Sequence, residues 1–499
     1  MSAQTTPGVP GPTTEQRVLR STLAAYGSQF GRMALRIGWD LALARLVLPS
    51  AHGVFALAWS IVFLASLVRD VGLGYELVRD ARRPYGTVFH WQIRAGLLVT
   101  AALALLSPLT AQMDPDLPAV LAVLSLYVLF DALAVVPRLF FERELAVGRL
   151  VMPEIVRGAV VTGLAIALAW RGAGVWSMVA GELAGAALYA ALLWRRVWGK
   201  VPLHAEKGLT RELLRKSSLL FVIAFAANST PYVGRFVVEA FGGTFMVGQF
   251  EKAQTWAMRL QVLVMPAILR VLYPALMEYR DRRDRFIGAY RLGTASILAL
   301  ETLAAYFLFF NAETVMLHVL AGKNWAPAIP LLRILCFVPL LDPFSRLGGE
   351  LLKTRHEDKL WLLITTLNLA CLLAFGIVLS ARLGPSGMAW ANYLMLGNLI
   401  MTWRMWRLCG PDFWRLLREL LLMYVTPLPL FALVAWLFPM EGWPRFGASF
   451  LAVGLAALVP LKLLWRPLRE FFAVTEDASS TAPDAAPDAA PGVAPEVPA

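Results

Sequence analysis

The sequence predicts an all-α integral membrane fold of about fourteen transmembrane helices. Three observations predict it. Of the 499 residues, 58% are hydrophobic and only 16% are charged, whereas a soluble domain is about half apolar and about a quarter charged. Apolar stretches of about 20 residues, the length that crosses a bilayer, recur along the chain. The Lys and Arg residues between them are dense in one set of turns and sparse in the other.

Taken in order, the expected spans cover about 21–47, 53–77, 88–111, 118–140, 150–170, 174–195, 217–240, 246–272, 287–310, 327–350, 360–381, 386–407, 416–438 and 446–466. They group as two six-helix lobes around a central cavity, plus two C-terminal helices. Residues 1–20 form a short N-terminal segment and 21–196 the first lobe. A linker at 197–216 leads to the second lobe at 217–410, the last two helices at 411–472 and a tail at 473–499. The tail repeats Ala, Pro and Asp, cannot bury a core and is expected to be disordered.

The basic turns hold Arg79, Arg82 and Arg83, then Arg143 and Arg149, then the run from Arg195 to Lys216. Arg280 to Arg285, Lys353 to Lys359, Arg407, Arg415, Arg466 and Arg469 continue the set. The opposite turns hold only Arg45, Arg171, Lys323, Arg382 and Arg445. Positive residues stay in the cytoplasm, so a multi-pass protein with both termini cytoplasmic is expected, without a cleavable leader in its polar first residues. The same bias accounts for the net charge of +12 without a nucleic-acid partner. Cys336, Cys371 and Cys409 are far apart, and the five histidines are scattered. No metal or cofactor site is expected from them.

Ionisable side chains are expensive at membrane depth, so their positions carry the functional argument. Gln29, Arg32, Arg36 and Asp40 recur at helical spacing and share one face of the first span. That stripe suits a helix lining a wet chamber; a local Arg36–Asp40 pair is the alternative. Arg69 and Asp70 close the second span and are expected to snorkel towards water. Arg157, Arg235, Arg259 and Arg333 lie within later spans, as do Glu182, Glu239, Glu301 and Asp342. Arginine outnumbers acid at depth. A basic chamber suits an anionic passenger, because the guanidinium fork matches phosphate oxygens. Gln29, Arg32, Arg36, Arg157, Arg235, Arg259 and Arg333 are therefore the candidate substrate-binding residues. Asp40, Glu182, Glu239, Glu301 and Asp342 are candidate sites for a coupling proton or sodium ion, or counter-ions to the arginines.

A short repeat links the lobes. Gly53 to Ala58 and Gly248 to Ala253 both read G-x-F-x-x-A, at equivalent places in the two halves.

The run from Leu43 to Ala58 (LARLVLPSAHGVFALA) resembles the first outer turn of the polysaccharide (Wzx-type) flippase family, part of the multidrug/oligosaccharidyl-lipid/polysaccharide exporter superfamily. Asp70 to Gly74, Gly248 to Ala253, Leu272 to Leu276 and Ala321 to Ala328 resemble further family motifs, in order and in register. Arg235 is a departure, since the family often has an aspartate there; His52 replaces a usual tyrosine. The resemblance implies a flippase of the bacterial inner membrane. It would move undecaprenyl-pyrophosphate-linked oligosaccharide units between leaflets, serving a polysaccharide polymerase and a chain-length co-polymerase. Rival readings are a cation-coupled multidrug exporter, a membrane polymerase or glycosyltransferase, and a structural scaffold. The exporter calls for a more acidic or aromatic cavity. The enzyme calls for a large outer loop, and every outer loop here is short. No catalytic residue is expected.

Overall fold

The computed structural model describes residues 31 and 33–480, apart from 75–76, 78–81, 145, 147, 205–208, 263–264, 266–267, 270–271, 273–275, 277–278, 280–281, 321–323, 342–346, 350–351, 353–354 and 356. The described residues are mostly helical, with no strand among them. In chain order the first lobe holds α1 (33–46), α2 (Pro49–Asp70), α3 (Tyr85–Leu106), α4 (Leu117–Arg143), α5 (Gly148–Trp170) and α6 (Val175–Val197). The helical stretch Leu209–Ala257 is two helices joined at Gly243, whose φ of 70° and ψ of 177° break the spiral. We number them α7 (209–242) and α8 (244–257). A Cβ would strain that backbone, and glycine supplies the turn. There follow α9 (Arg283–Phe310), α10 (Ala328–Leu335), α11 (Asp358–Leu383) and α12, which is interrupted between Pro385–Ala391 and Gly397–Cys409. The last two are α13 (Asp412–Leu437) and α14 (Trp443–Ser480).

Ten helices among the described residues are long and apolar enough to cross a membrane. One of these merges α7 and α8. The remaining expected spans are α1, whose start lies outside the described residues, and the short or interrupted α10 and α12. The outer surface confirms the solvent. Leu98, Leu105 and Leu451 are 71%, 79% and 73% exposed, which water would penalise and lipid does not. Trp170, Trp198 and Trp436 stand exposed at helix ends, as interfacial tryptophans do.

The lobes meet along α1 and α2 on one side and α7 and α8 on the other. At the end opposite the basic loops the seam is closed. Arg45 donates to the carbonyl of Val319 at 3.0 Å, and Trp325 donates to that of Ala44 at 3.0 Å. Val319 ends a π-helical turn, Thr314–Val319, a geometry that leaves carbonyls free of the regular ladder. His52 is buried against the Trp325 ring and its Nε2 contacts the Leu43 carbonyl. The G-x-F-x-x-A runs lie here too, and Gly53 and Gly248 pack against each other's helix with no room for a Cβ.

At the basic end the linker docks on the first lobe. Gly86 of α3 lies directly under the backbone of Leu203 and His204. Arg82 donates twice to the Glu212 carboxylate, at 3.0 and 3.2 Å, and Lys216 donates to it at 2.7 Å. Arg69 does not snorkel. It is buried, and it donates to the Val128 carbonyl at 2.7 Å and to Asp131 at 2.8 Å. Asp70 accepts from Gln92 at 2.7 Å. These partners lie on α3 and α4 and hold the charged pair inside the first lobe. The helix α14 runs to Ser480, past the expected start of the tail at 473, and the remainder lies outside the described residues.

Candidate functional site

The helical spacing of Arg36, Trp39 and Asp40 puts them on one side of α1. Lys252, Trp256 and Arg259 are spaced by four and three and share one side of α8 and its continuation. The fold turns these two faces towards each other. Asp40 is 1% exposed. One of its carboxylate oxygens accepts from Lys252 Nζ at 3.2 Å and the other pairs with the Arg259 guanidinium. Lys252 is fully buried; its ammonium lies 5.3 Å from the centre of the Trp39 ring and 3.9 Å from Glu251. Arg36 stacks over the same Trp39 ring at 5.8 Å, and Arg259 over Trp256 at 5.5 Å. Such cation–π contacts hold charge where lipid or protein has displaced water.

Arg235 of α7 completes the group. It is buried, lies 5.1 Å over Tyr232, and donates to the Ala56 carbonyl at 3.3 Å and to Ser60 Oγ at 3.2 Å, both on α2. Among the described residues it has no carboxylate partner within ion-pair distance. Arg36, Arg235, Lys252 and Arg259 thus face two carboxylates, Asp40 and Glu251. Four donors in this group have no hydrogen-bond partner among the described residues. They are the Nε groups of Arg235 and Arg259 and the indole nitrogens of Trp39 and Trp256. Around these cations the unsatisfied groups are donors; elsewhere on α8 the buried Gln249 Oε1 is an acceptor without a partner among the described residues. A buried donor without a partner costs about 1–3 kcal/mol, so the seam favours a ligand that only accepts.

The other candidate residues lie elsewhere. Arg157 stays within the first lobe. It donates to Tyr127 Oη at 3.0 Å, lies 3.7 Å from Glu182, and is flanked by the Tyr127 and Tyr189 rings. Arg333 reaches Glu441, in the turn between α13 and α14, at 2.6 Å; Glu441 also accepts from the Glu313 amide at 2.7 Å. Glu239 is half-buried near the end of α7, and Glu301 is buried in α9. Gln29, Arg32 and Asp342 lie outside the described residues. The local Arg36–Asp40 pair does not form here, because Asp40 reaches across to α8. Ser60, Trp39 and Trp256 join the group without having been candidates from sequence, whereas Lys252 belongs with Glu251 and Arg259 to the charges that the sequence places inside the eighth span. The signal for Trp256 was its spacing with Lys252 and Arg259 on one helical face. Among the described residues no cluster of His, Cys, Asp or Glu could hold a metal ion.

Known proteins resemble this arrangement at two levels. A curated relative, the succinoglycan biosynthesis transport protein ExoT of Rhizobium meliloti (strain 1021), is 26% identical over 355 residues, 68% of this chain and 69% of the relative. Among solved structures, the lipid II flippase MurJ in an inward closed conformation superposes with a TM-score of 0.68 at 13% identity, covering 90% of this chain and 99% of that one. An inward-facing multidrug resistance MATE transporter of the MOP superfamily gives 0.61 at 16% identity, covering 76% and 95%. The structural likenesses show the fold, a two-lobed bundle of membrane helices. Residues 42–330 match the family described as polysaccharide biosynthesis protein, and with more than half of its length matched the chain belongs to that family.

Proposed function

We propose that the protein is a flippase for undecaprenyl-pyrophosphate-linked oligosaccharide repeat units. It carries them from the cytoplasmic to the periplasmic leaflet of a bacterial inner membrane, for exopolysaccharide, capsule or O-antigen synthesis. One observation carries this reading: the seam between the lobes holds four cations against two carboxylates, with four unsatisfied donors on or beside those cations among the described residues. A pyrophosphate is the complementary group, because it offers only acceptors and two or more negative charges. The isoprenoid tail stays in lipid while the sugars follow the headgroup between the lobes. Closure at the end opposite the basic loops suits a protein ready to load from the basic side. Rocking of the lobes about the α1–α2 and α7–α8 seam then exposes the other side. A proton or sodium ion at Glu182 is the proposed coupling device, and a polysaccharide polymerase with its chain-length co-polymerase are the proposed recipients. A cation-coupled drug exporter is disfavoured, since a cationic drug would meet like charge here.

The test is translocation of a lipid-linked oligosaccharide in inverted membrane vesicles. Arg235→Ala and Arg259→Ala each remove charge-assisted hydrogen bonds and are expected to slow translocation about 10–100-fold. Variants that fold and translocate at the wild-type rate overturn the reading.

A further inference from the structure

We propose that Asp40 is an internal substitute for the passenger's anionic group, and that an arriving pyrophosphate takes over its two cations and so releases α1 from α8. The inference rests on the flippase reading and adds how loading is tied to motion. Asp40 stands on α1, and both its partners, Lys252 and Arg259, stand on the α8 side. The ion pairs are therefore a bond between lobes, buried to 1% exposure at the carboxylate. Breaking them with nothing in exchange strands two cations and an anion away from water, which is strongly unfavourable. The empty protein is held shut at this place.

A pyrophosphate changes that balance. The Asp40 carboxylate has two oxygens, and each is already engaged with one cation. It leaves the Nε groups of Arg235 and Arg259 and the indoles of Trp39 and Trp256 unserved. A pyrophosphate presents more oxygens and more charge, so it can satisfy the cations and the idle donors together. The displaced carboxylate also has somewhere to go. Arg36 lies one turn earlier on the same helix, four residues away, within side-chain reach of Asp40. In the closed state Arg36 rests on the Trp39 ring; in the released state it receives Asp40. A cross-lobe pair becomes a local pair, and α1 is free to part from α8. Separation then requires cargo, which keeps the empty chamber from opening a path for ions.

The test uses the full-length protein in lipid nanodiscs, with undecaprenyl pyrophosphate and inorganic pyrophosphate as probes. Spin labels at Ala34→Cys on α1 and Val262→Cys beyond α8 report the separation, since the native cysteines are buried. In the otherwise native protein, either probe is expected to widen the label distance. Asp40→Asn removes the competitor and is expected to bind both probes about tenfold more tightly, with labels already widened before any probe is added. If Asp40→Asn does not fold, the Asp40→Asn/Lys252→Met double variant keeps the seam charge balanced and is compared with Lys252→Met alone for the same gain. Wild-type binding with no widening, or removal of Asp40 with no gain in affinity, overturns the inference and leaves the flippase reading in place. A wild-type protein that binds neither probe overturns both.

Discussion

Gly53 and Gly248 occupy the same position in two copies of one motif and meet backbone to backbone across the lobes. A Cβ on Gly53 would lie 1.8 Å from the Thr244 carbonyl oxygen, and one on Gly248 would lie 2.0 Å from that of Pro49. Each copy therefore supplies the notch that the other fills. The remaining motif residues close the contact from below: Phe250, Ala58 and Ala253 are fully buried. The seam at this end is built from small-residue contact, whereas the middle of the seam is built from charge.

That contact has a testable cost. Gly248→Ala or Gly53→Ala must push α2 and α8 apart, because the obstacle is backbone rather than a flexible side chain. Overpacking of this kind destabilises by about 1–3 kcal/mol. A lowered melting temperature is expected, together with faster maleimide labelling of a far-end cysteine at Val47→Cys, a position 1% exposed in the closed seam. Unchanged labelling and melting would show that the glycine contact does not hold this end shut.

Arg333 and Arg235 separate a peripheral arginine from a seam arginine. Arg333 is partly exposed but its partner Glu441 is only 7% exposed, so Arg333→Ala is expected to lower stability by leaving a buried carboxylate without its cation. Translocation by that variant is expected to stay near wild type, while Arg235→Ala loses it. Parallel vesicle assays of the two variants decide whether the seam, and not arginine content in general, handles the passenger.

The clamp at the basic end predicts an acid response. Hydrogen bonds from Arg82 and Lys216 hold the Glu212 carboxyl down at about 2, from an ordinary value of 4.5. A depressed carboxyl stabilises the folded contact fully above the ordinary value and loses that contribution as pH falls towards 2. Fluorescence transfer between labels on the Arg82 loop and the start of α7 is expected to hold steady down to about pH 4.5 and to drop below it. Glu212→Gln is expected to show the loosened distance already at neutral pH.

The helices were legible because lipid imposes a length and a polarity on each span, and the α2 and α11 sequences state both without interruption. The meeting of the two glycine motifs was half legible: the repeat was visible, but contact between its copies depends on the lobes facing each other. The site was legible as a list of deep charges and not as a set of pairs. Asp40 finds Lys252 across 212 residues of chain and Arg259 across 219, and no local spacing encodes that. Local spacing offered Arg36 for Asp40. The fold gives Asp40 stronger partners on α8 and gives Arg235 the Ala56 carbonyl and Ser60 hydroxyl on α2. Arg333 illustrates the opposite error, since a charge inside an apolar span can still reach a carboxylate in a neighbouring turn.

The docking of Leu203 and His204 on Gly86 sets the length of the tether between the lobes. Only five backbone steps separate His204, seated on the first lobe, from Leu209, the first residue of α7. A chain stretched to its limit covers about 18 Å in that number of steps. The two halves are therefore leashed: they can tilt about their common seam, but the link cannot pay out enough slack for them to drift apart, however wide the cargo.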